Sequence, residues 1–372
     1  MTDNLGVGVI GCGNISSAYF RLAPLFRGIE MRACADLNLE AAKSQAETFD
    51  LAAVTVDALL ERDDIDIVVN LTVPAAHRAV SEAILDAGKH VYSEKPFVLS
   101  AEEGSAILAK AQAKGLRVGS APDTFFGGSH QLARALIDDG AIGKVTSGTA
   151  IVQSPGMEDW HPNPDFFFLP GAGPVLDLGP YYISNLVQLL GPVRSVQAVC
   201  ATPQTQRTIL NGPRDGEQVP VKTPTTIHAV LEFASDAVIT MISSWDVWSH
   251  SHGNMELYGT DGTLYLPDPN FFGGDIRMTA KREDAALPDW DHPFSVPNDG
   301  DQANYRCAGL SDMALAIAEA RPHRCSAEFA HHVVDVMTSI LNAGENGTRL
   351  TIQSNCDRPA PLDGAAARAL MR

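Results

Sequence analysis

The sequence predicts a two-domain α/β protein: a doubly wound parallel sheet first, then an α+β domain with a large, mostly antiparallel open sheet. Three observations carry this prediction. Short β-rich runs alternate with amphipathic segments from residue 5 to 121, strand-like runs follow one another directly after about residue 122, and all four tryptophans lie in that second part. Parallel neighbours need long crossovers, usually helical, whereas strands that follow one another closely pair antiparallel. A chain of 372 residues has material for two ordinary domains, divided at Ala121-Pro122 into 1–121 and 122–372.

Taken in order, the first-domain strands are expected at 7–10, 31–35, 65–71, 90–92 and 116–119. Between them Ala76, Ala79, Val80, Ala83, Ile84 and Ala87 recur at helical spacing, and Ser100-Ala101-Glu102-Glu103 reads as a capping box that opens the next helix. In the second domain, residues 193–202, 225–234, 237–245, 254–259 and 263–266 read as neighbouring strands. The Pro-, Gly- and charge-rich stretches 203–224 and 281–301 read as surface insertions. Helices are expected over 302–320 and 326–344, then an irregular tail over 353–372 that frames a cleft or a subunit contact.

Acidic side chains outnumber basic ones by 45 to 27, and the resulting charge of −18 repels phosphate backbones and anionic membrane surfaces. Nucleic acid and membrane are therefore excluded as partners, and a neutral small molecule is favoured as substrate. The first ten residues lack a basic start and a long apolar run, and six scattered cysteines form no C-x-x-C pair. A cytoplasmic protein with reduced thiols is expected.

Two glycine patterns open the chain. Gly6-Val7-Gly8-Val9-Ile10-Gly11 has the G-x-G-x-x-G spacing, but its middle lies within the first strand, where no turn exists. Gly11-Cys12-Gly13-Asn14-Ile15-Ser16 falls where strand turns to helix. There Gly11 makes the tight turn and Gly13 admits a pyrophosphate to the helix N-terminus, as a Rossmann dinucleotide site requires; Ser16 stands where the last glycine or alanine is usual. Asp36 follows 23 residues after Gly13, near the spacing of about 20 at which a carboxylate bonds the adenosine ribose hydroxyls. With Leu37 and Asn38 beside it, no positive charge awaits a 2′-phosphate, so NAD is expected ahead of NADP.

Gly11, Gly13, Asn14, Ile15, Asp36, Thr72, Pro74, His77, Glu94 and Lys95 form the predicted cofactor set. The loop from Thr72 to His77 should reach over the ribose and nicotinamide, with His77 either touching the cofactor or covering a helix end. Glu94-Lys95-Pro96 ends a strand at the carboxyl edge of the sheet, and Pro96 bars the helical conformation for Lys95, fixing how its ammonium is presented. In the second domain Asp177 and Tyr181 stand four apart on one helix face. Each has a second reading, Asp177 as helix N-cap and Tyr181 or Tyr182 as core aromatics. Trp160 and His161, before Phe166-Phe167-Phe168, mix aromatic faces with polar groups, a combination that stacks on sugar rings. His250-Ser251-His252 and His331-His332 lack a third ligand nearby, so no metal is expected.

The glycine loop Gly11-Cys12-Gly13-Asn14-Ile15, the Thr72–His77 loop, Glu94-Lys95-Pro96, Gly140-Ala141-Ile142-Gly143-Lys144-Val145 and the stretch from Gly171 to Gly191 together resemble the Gfo/Idh/MocA oxidoreductases. That resemblance spans nearly the whole chain. It implies NAD(P)-linked chemistry on sugars, inositols or glycosides, an open sheet that joins subunits into a homo-oligomer, and Lys95 and Asp177 at the reacting carbon. Many members carry D-x-G-x-H-x-x-D, where this chain has Asp177, Gly179, Tyr181 and Ser184, so Tyr181 replaces the usual histidine. The implied catalytic set is Lys95, Asp177 and Tyr181; Lys95 either favours the Tyr181 phenolate as base or takes the proton itself. Substrate contacts are expected from Lys95, Asp123, Trp160, His161, Asp177 and Tyr181. A glycoside-cleaving enzyme with retained NAD and a cofactor-binding sensor are the other readings.

Overall fold

The computed structural model describes residues 4–281 and 283–372; residues 1–3, at the chain start, and Arg282, within the expected 281–301 insertion, lie outside the described residues. The first layer is a six-stranded sheet of β1 (Leu5–Ile10), β2 (Ile29–Ala35), β3 (Ala52–Val54), β4 (Ile67–Asn70), β5 (His90–Ser93) and β6 (Val118–Ser120). Its order is β3-β2-β1-β4-β5-β6 and every pairing is parallel. The strands are covered by α1 (Asn14–Leu22), α2 (Leu39–Phe49), α3 (Val56–Leu60), α4 (His77–Asp86) and α5 (Ala101–Lys114). Burial on both faces explains the unbroken apolar runs: Val7, Val9, Ile67, Val68 and Val69 are all fully buried. The strand order reverses between β1 and β4, so their carboxyl ends open a crevice flanked by the glycine turn and the Thr72 loop.

Five strands were expected here and six are found. The extra one, β3, is three half-buried residues, Ala-Ala-Val, too short and too weakly apolar to stand out. The capping box at Ser100 forms with a shift: Ser100 Oγ accepts the Glu103 amide at 3.2 Å, but the Glu103 carboxylate accepts from Leu99 N at 3.1 Å, one residue earlier than the usual return bond.

The second layer follows α6 (Gly128–Asp138). It comprises β7 (Val145–Gln153), α7 (Pro174–Leu190), β8 (Val193–Ala201), a hairpin of β9 (Gln206–Thr208) and β10 (Gln218–Pro220), β11 (Thr226–Phe233), β12 (Val238–Ser244), β13 (Met255–Gly259), β14 (Gly262–Leu266), β15 (Arg277–Ala280) and β16 (Glu283–Ala285). Then come α8 (Ala308–Ala318), α9 (Ala327–Asn346), β17 (Leu350–Thr351) and α10 (Gly364–Leu370). Nine strands form one open sheet, β16-β15-β14-β13-β7-β12-β11-β8-β17, antiparallel except for β7 against β12. The central strand β7 carries no strong strand pattern, since Thr-Ser-Gly-Thr fills its first half. Gly148 is needed there: a Cβ would lie 2.4 Å from Glu256 O of β13. Ile227, Ala229, Leu231, Ile239 and Met241 alternate into the core, and α7 and α9 lie against the sheet.

Residues 203–224 are mostly exposed, as a surface insertion should be, but they carry regular structure and a buried side. They form the β9–β10 hairpin, whose Arg207, Ile209, Val219 and Val221 are buried with Met157, Phe168 and Trp245 in a second small core. The tail over 353–372 includes a helix, α10, and returns to the first layer, where Met371 bridges Phe26. With α5 and the α8–α9 connection it walls a cleft of roughly 1330 Å³, away from the crevice between β1 and β4.

Candidate active site

At the end of β1, Gly11 has φ +104°, and a Cβ there would stand 2.6 Å from the backbone of Leu71; only glycine lets the two strand ends approach. A Cβ on Gly13 would meet nothing within 4 Å, so this side of the turn is open. Gly13 is the N-cap of α1, with no side-chain cap and no acid in the first turn. The first amides of α1, at Asn14 and Ile15, therefore face an open, positively polarised end suited to a pyrophosphate. Ser16 is fully buried and its hydroxyl donates to Gly13 O at 2.6 Å, so serine in place of glycine or alanine braces the loop. Asp36 is pulled against the same turn: Oδ2 accepts from Cys12 N at 2.7 Å and Oδ1 from Asn38 N at 2.8 Å. Gly6, the rejected pattern, is closed on Asp64, whose carbonyl oxygen would lie 1.9 Å from a Cβ.

Thr72 is held by Asn70, donating from Oγ1 to Oδ1 at 2.7 Å, and Pro74 opens a short 3-10 turn on the exposed side of the loop. His77 is fully buried, with Nδ1 2.7 Å from Pro96 O and Nε2 2.9 Å from Thr72 O. Both ring nitrogens are thus spent on backbone, and His77 ties the Thr72 loop to the Lys95 turn without offering a polar atom to the crevice.

Lys95 Nζ bonds Asp177 Oδ1 at 2.7 Å and Asp177 O at 2.8 Å, joining the two layers. Asp177 is not the N-cap of α7; Gly173 is, and Asp177 N bonds Gly173 O, so the carboxylate projects from inside the first turn. One helical turn on, the Tyr181 ring lies 5.2 Å below the Lys95 ammonium. Burial works against the charged lysine, but the Tyr181 phenol and the Asp177 and Glu94 carboxylates outweigh it, so its pKa stands above the ordinary lysine value. Tyr182 points the other way, its hydroxyl accepting from Asn254 Nδ2 at 3.1 Å. Both tyrosines are buried, Tyr182 completely and Tyr181 at 6% exposure, and Tyr181 shares the face of Asp177.

Glu94 is 7% exposed, and its oxygens are filled by protein: Oε2 accepts from Lys95 N at 2.8 Å, Oε1 from Tyr19 at 3.1 Å and from Arg306 in an ion pair. Asp123 is also buried, with Oδ2 accepting the Gly309 amide of α8 at 3.0 Å. Burial pushes its carboxyl up to about 6, with Glu94 adding to the effect and the Gly309 amide and Arg306 resisting it.

Arg306 is the residue that the sequence did not reveal. The helix expected over 302–320 begins only at Ala308, and Arg306 sits in the loop before it, ahead of Cys307 with φ 87°. No motif marks it. Its partner is 212 residues away.

Trp160 is 61% exposed, and its ring meets His161 and Phe167 at 5.4 and 6.5 Å. Phe168 roots this aromatic loop in the core beside Trp245, under the guanidinium of Arg207, which is paired with Glu158 and Asp246. Among the described residues, no hydrogen bond or ring contact joins Trp160 or His161 to Lys95, Asp177 or Tyr181. Nor does any group of three His, Cys, Asp or Glu side chains there have metal-holding geometry. His331 and His332 are engaged by Ala101 O and by Val193 N.

Two family models match the chain: the oxidoreductase family's NAD-binding Rossmann fold over residues 5–121, and the GFO/IDH/MocA C-terminal domain over residues 130–265. A dTDP-3,4-didehydro-2,6-dideoxy-alpha-D-glucose 3-reductase from Streptomyces violaceoruber is 31% identical over 268 residues, 70% of this chain and 72% of that protein. The levoglucosan dehydrogenase of Pseudarthrobacter phenanthrenivorans is 26% identical over 293 residues, 70% and 73% of the two chains. Among solved structures, an NAD binding oxidoreductase from Klebsiella pneumoniae superposes with a TM-score of 0.81 at 21% identity, over 95% of this chain and 100% of that one. A levoglucosan dehydrogenase in complex with NADH superposes with a TM-score of 0.79 at 22% identity, over the same shares. No helix of the described residues is long and apolar enough to cross a membrane. Matched by both models over more than half of its length, the chain belongs to the GFO/IDH/MocA family of oxidoreductases, with an NAD-binding Rossmann domain as its first layer.

Proposed function

We propose that this oxidoreductase interconverts a secondary hydroxyl and a keto group on a sugar, cyclic polyol or glycoside, using NAD in preference to NADP. The observation that carries the reading is the Lys95–Asp177–Tyr181 cluster, which joins the carboxyl edge of the Rossmann sheet to the first turns of α7. Gly13, Asn14 and Ile15 would hold the pyrophosphate of the dinucleotide, which would supply or take the hydride. Asp36 would bond the adenosine ribose hydroxyls and repel a 2′-phosphate, and Thr72 and Pro74 would flank the nicotinamide half.

The proton assignment follows from charge. Lys95 is paired with Asp177 and held as an ammonium, so it is a poor proton acceptor. Tyr181, whose hydroxyl bonds no protein group among the described residues, is the group left to take the substrate proton. Its phenolate would form beside a fixed positive charge. Lys95 and Asp177 orient the substrate hydroxyls, and the exposed ring of Trp160 with His161 is a stacking surface for the far end of a larger substrate.

A carbohydrate substrate is supported by the two curated relatives, whose names are those of sugar reductases and dehydrogenases. The decisive measurement follows NADH absorbance with NAD or NADP against aldoses, inositols, glycosides and anhydrosugars, run in both directions. Turnover on at least one member with NAD ahead of NADP is expected; no turnover across the panel despite tight NAD binding would overturn the reading. The outer face of the nine-stranded sheet exposes Val199, Val230 and Val238 on adjacent strands β8, β11 and β12, which supports a homo-oligomer built through that face. A cytoplasmic location accords with the six free thiols.

A further inference from the structure

Two carboxylates flank one lysine, Glu94 buried and Asp177 half-buried. Asp177 takes the Lys95 ammonium, while from Lys95 the neighbouring Glu94 accepts the backbone amide alone. A buried carboxylate without a counter-charge draws the nearest cation, since its lost hydration is otherwise uncompensated. Glu94 does not draw Lys95 because Arg306, arriving from the second layer just before α8, pairs with Oε1, and Tyr19 of α1 donates to the same oxygen. The guanidinium also stands 5.7 Å over the Tyr19 ring, which limits its freedom.

We propose that Arg306 is a positioning residue: by neutralising Glu94 it leaves the Lys95 ammonium to Asp177 and the substrate crevice. The groups around it agree in sign. Burial opposes the Arg306 charge, and Glu94, Tyr19, Tyr181 and Asp123 together outweigh that opposition, so the guanidinium stays charged. A neutral side chain at 306 would leave Glu94 without its counter-charge, adjacent in sequence to a lysine already paired with Asp177. The lysine would then turn toward Glu94, and the crevice would lose its cation while the glycine turn, to which Arg306 makes no hydrogen bond among the described residues, stayed intact.

The kinetic part of this inference rests on the dehydrogenase reading; the structural part does not. Arg306→Ala, Glu94→Gln and the double variant are each assayed for turnover and for NAD affinity by fluorescence, and their crystal structures are solved. Arg306→Ala should lose roughly 10²-fold or more in kcat, as expected when a positioned catalytic group is displaced, with NAD affinity unchanged. Lys95 Nζ should move from Asp177 to Glu94. Adding Glu94→Gln, which removes the unpaired acid, should return Lys95 to Asp177 and restore kcat to within about tenfold of wild type, a recovery that a purely structural loss would not show in kcat at constant NAD affinity. Lys95 still on Asp177 in Arg306→Ala, or a double variant that binds NAD yet stays inactive, would overturn the proposal. If Arg306→Ala does not accumulate folded, Arg306→Lys takes its place: it keeps the charge, so Lys95 should remain on Asp177, and a kcat as low as that of Lys95→Met would overturn the role. Absence of turnover in wild type together with the expected swing of Lys95 would refute the dehydrogenase reading alone; turnover without the swing would refute this inference alone.

Discussion

Lys95 and Tyr181 divide the proposed chemistry between a fixed charge and a hydroxyl, and each can be removed without disturbing the glycine turn. Lys95→Met and Tyr181→Phe are each expected to lower kcat by roughly 10²–10⁴, the range for a positioned acid or base. Tyr181→Phe should leave NAD affinity intact, which equilibrium binding can check. Near wild-type turnover in both would remove the assignment. Asp36 carries the cofactor preference. Asp36→Ala should raise the KM for NAD by roughly tenfold, the loss of about 1.4 kcal/mol of binding, while lowering that for NADP. An unchanged ratio of the two cofactors' kcat/KM values would show that specificity lies elsewhere. At this scale the sequence exposed the residues that sit in local motifs. It left Asp177 and Tyr181 open between core and site, because a helix face has no meaning until something packs on it. It gave no sign that the Asp123 carboxylate accepts the α8 amide of Gly309, and it had no means of pairing Arg306 with Glu94.

Among the elements, the β1–α1 turn separates two uses of glycine. Gly11→Ala places a methyl group 2.6 Å from the Leu71 backbone at a positive φ, so a loss of roughly 1–3 kcal/mol or more in stability is expected, read as a fall in urea midpoint. Gly13→Ala meets no protein atom. It should leave the midpoint nearly unchanged and weaken NAD binding by roughly tenfold or more, because the methyl group occupies the space that the pyrophosphate requires. Equal stability losses in the two variants would contradict this division. Helices α4 and α9 and strands β8, β11 and β12 were legible from periods of 3.6 and 2.0. The central strand β7 was not, since Thr-Ser-Gly-Thr reads as a loop until β12 and β13 flank it. Likewise the stretch 203–224 looks polar because Arg207 counts as a charge, though two acids pair with it in a small core.

For the molecule as a whole, buried histidines set the response to acid. His130 accepts from Asn185 on Nδ1 and faces Phe271 O on Nε2; His332 accepts the Val193 amide on Nε2 and faces Ser354 on Nδ1. Each is wired as a neutral ring, and burial lowers each from 6.5 to about 4. The unfolded chain takes up these protons first, so the stability they contribute is complete above pH 6.5 and falls as pH drops toward 4, by on the order of 2 kcal/mol each at pH 5. Asp123 has the opposite sign. Its carboxyl is raised to about 6, so its contribution is present at low pH and fades as pH rises through 6, returning on the order of 1 kcal/mol at pH 5. The urea midpoint should therefore fall between pH 7.5 and 5. His332→Asn should flatten that fall, and Asp123→Asn should steepen it. A midpoint independent of pH over this range would contradict the buried neutral rings.

Taken alone, the amino-acid sequence determined the doubly wound first domain, the choice of Gly11 and Gly13 over Gly6, the placing of Asp36, and the Glu94-Lys95-Pro96 turn at the sheet edge. Each of these follows from constraints that act within one turn or one strand: positive φ, helix and strand periodicity, and the restriction before proline. Only the tertiary structure decided that His77 is a brace between two loops, that Tyr181 and not Tyr182 faces Lys95, that β7 is the middle of the large sheet, and that Arg306 neutralises Glu94. These are pairings across tens to hundreds of residues, chosen by which surfaces pack and which buried charges must be matched, and no local pattern encodes them.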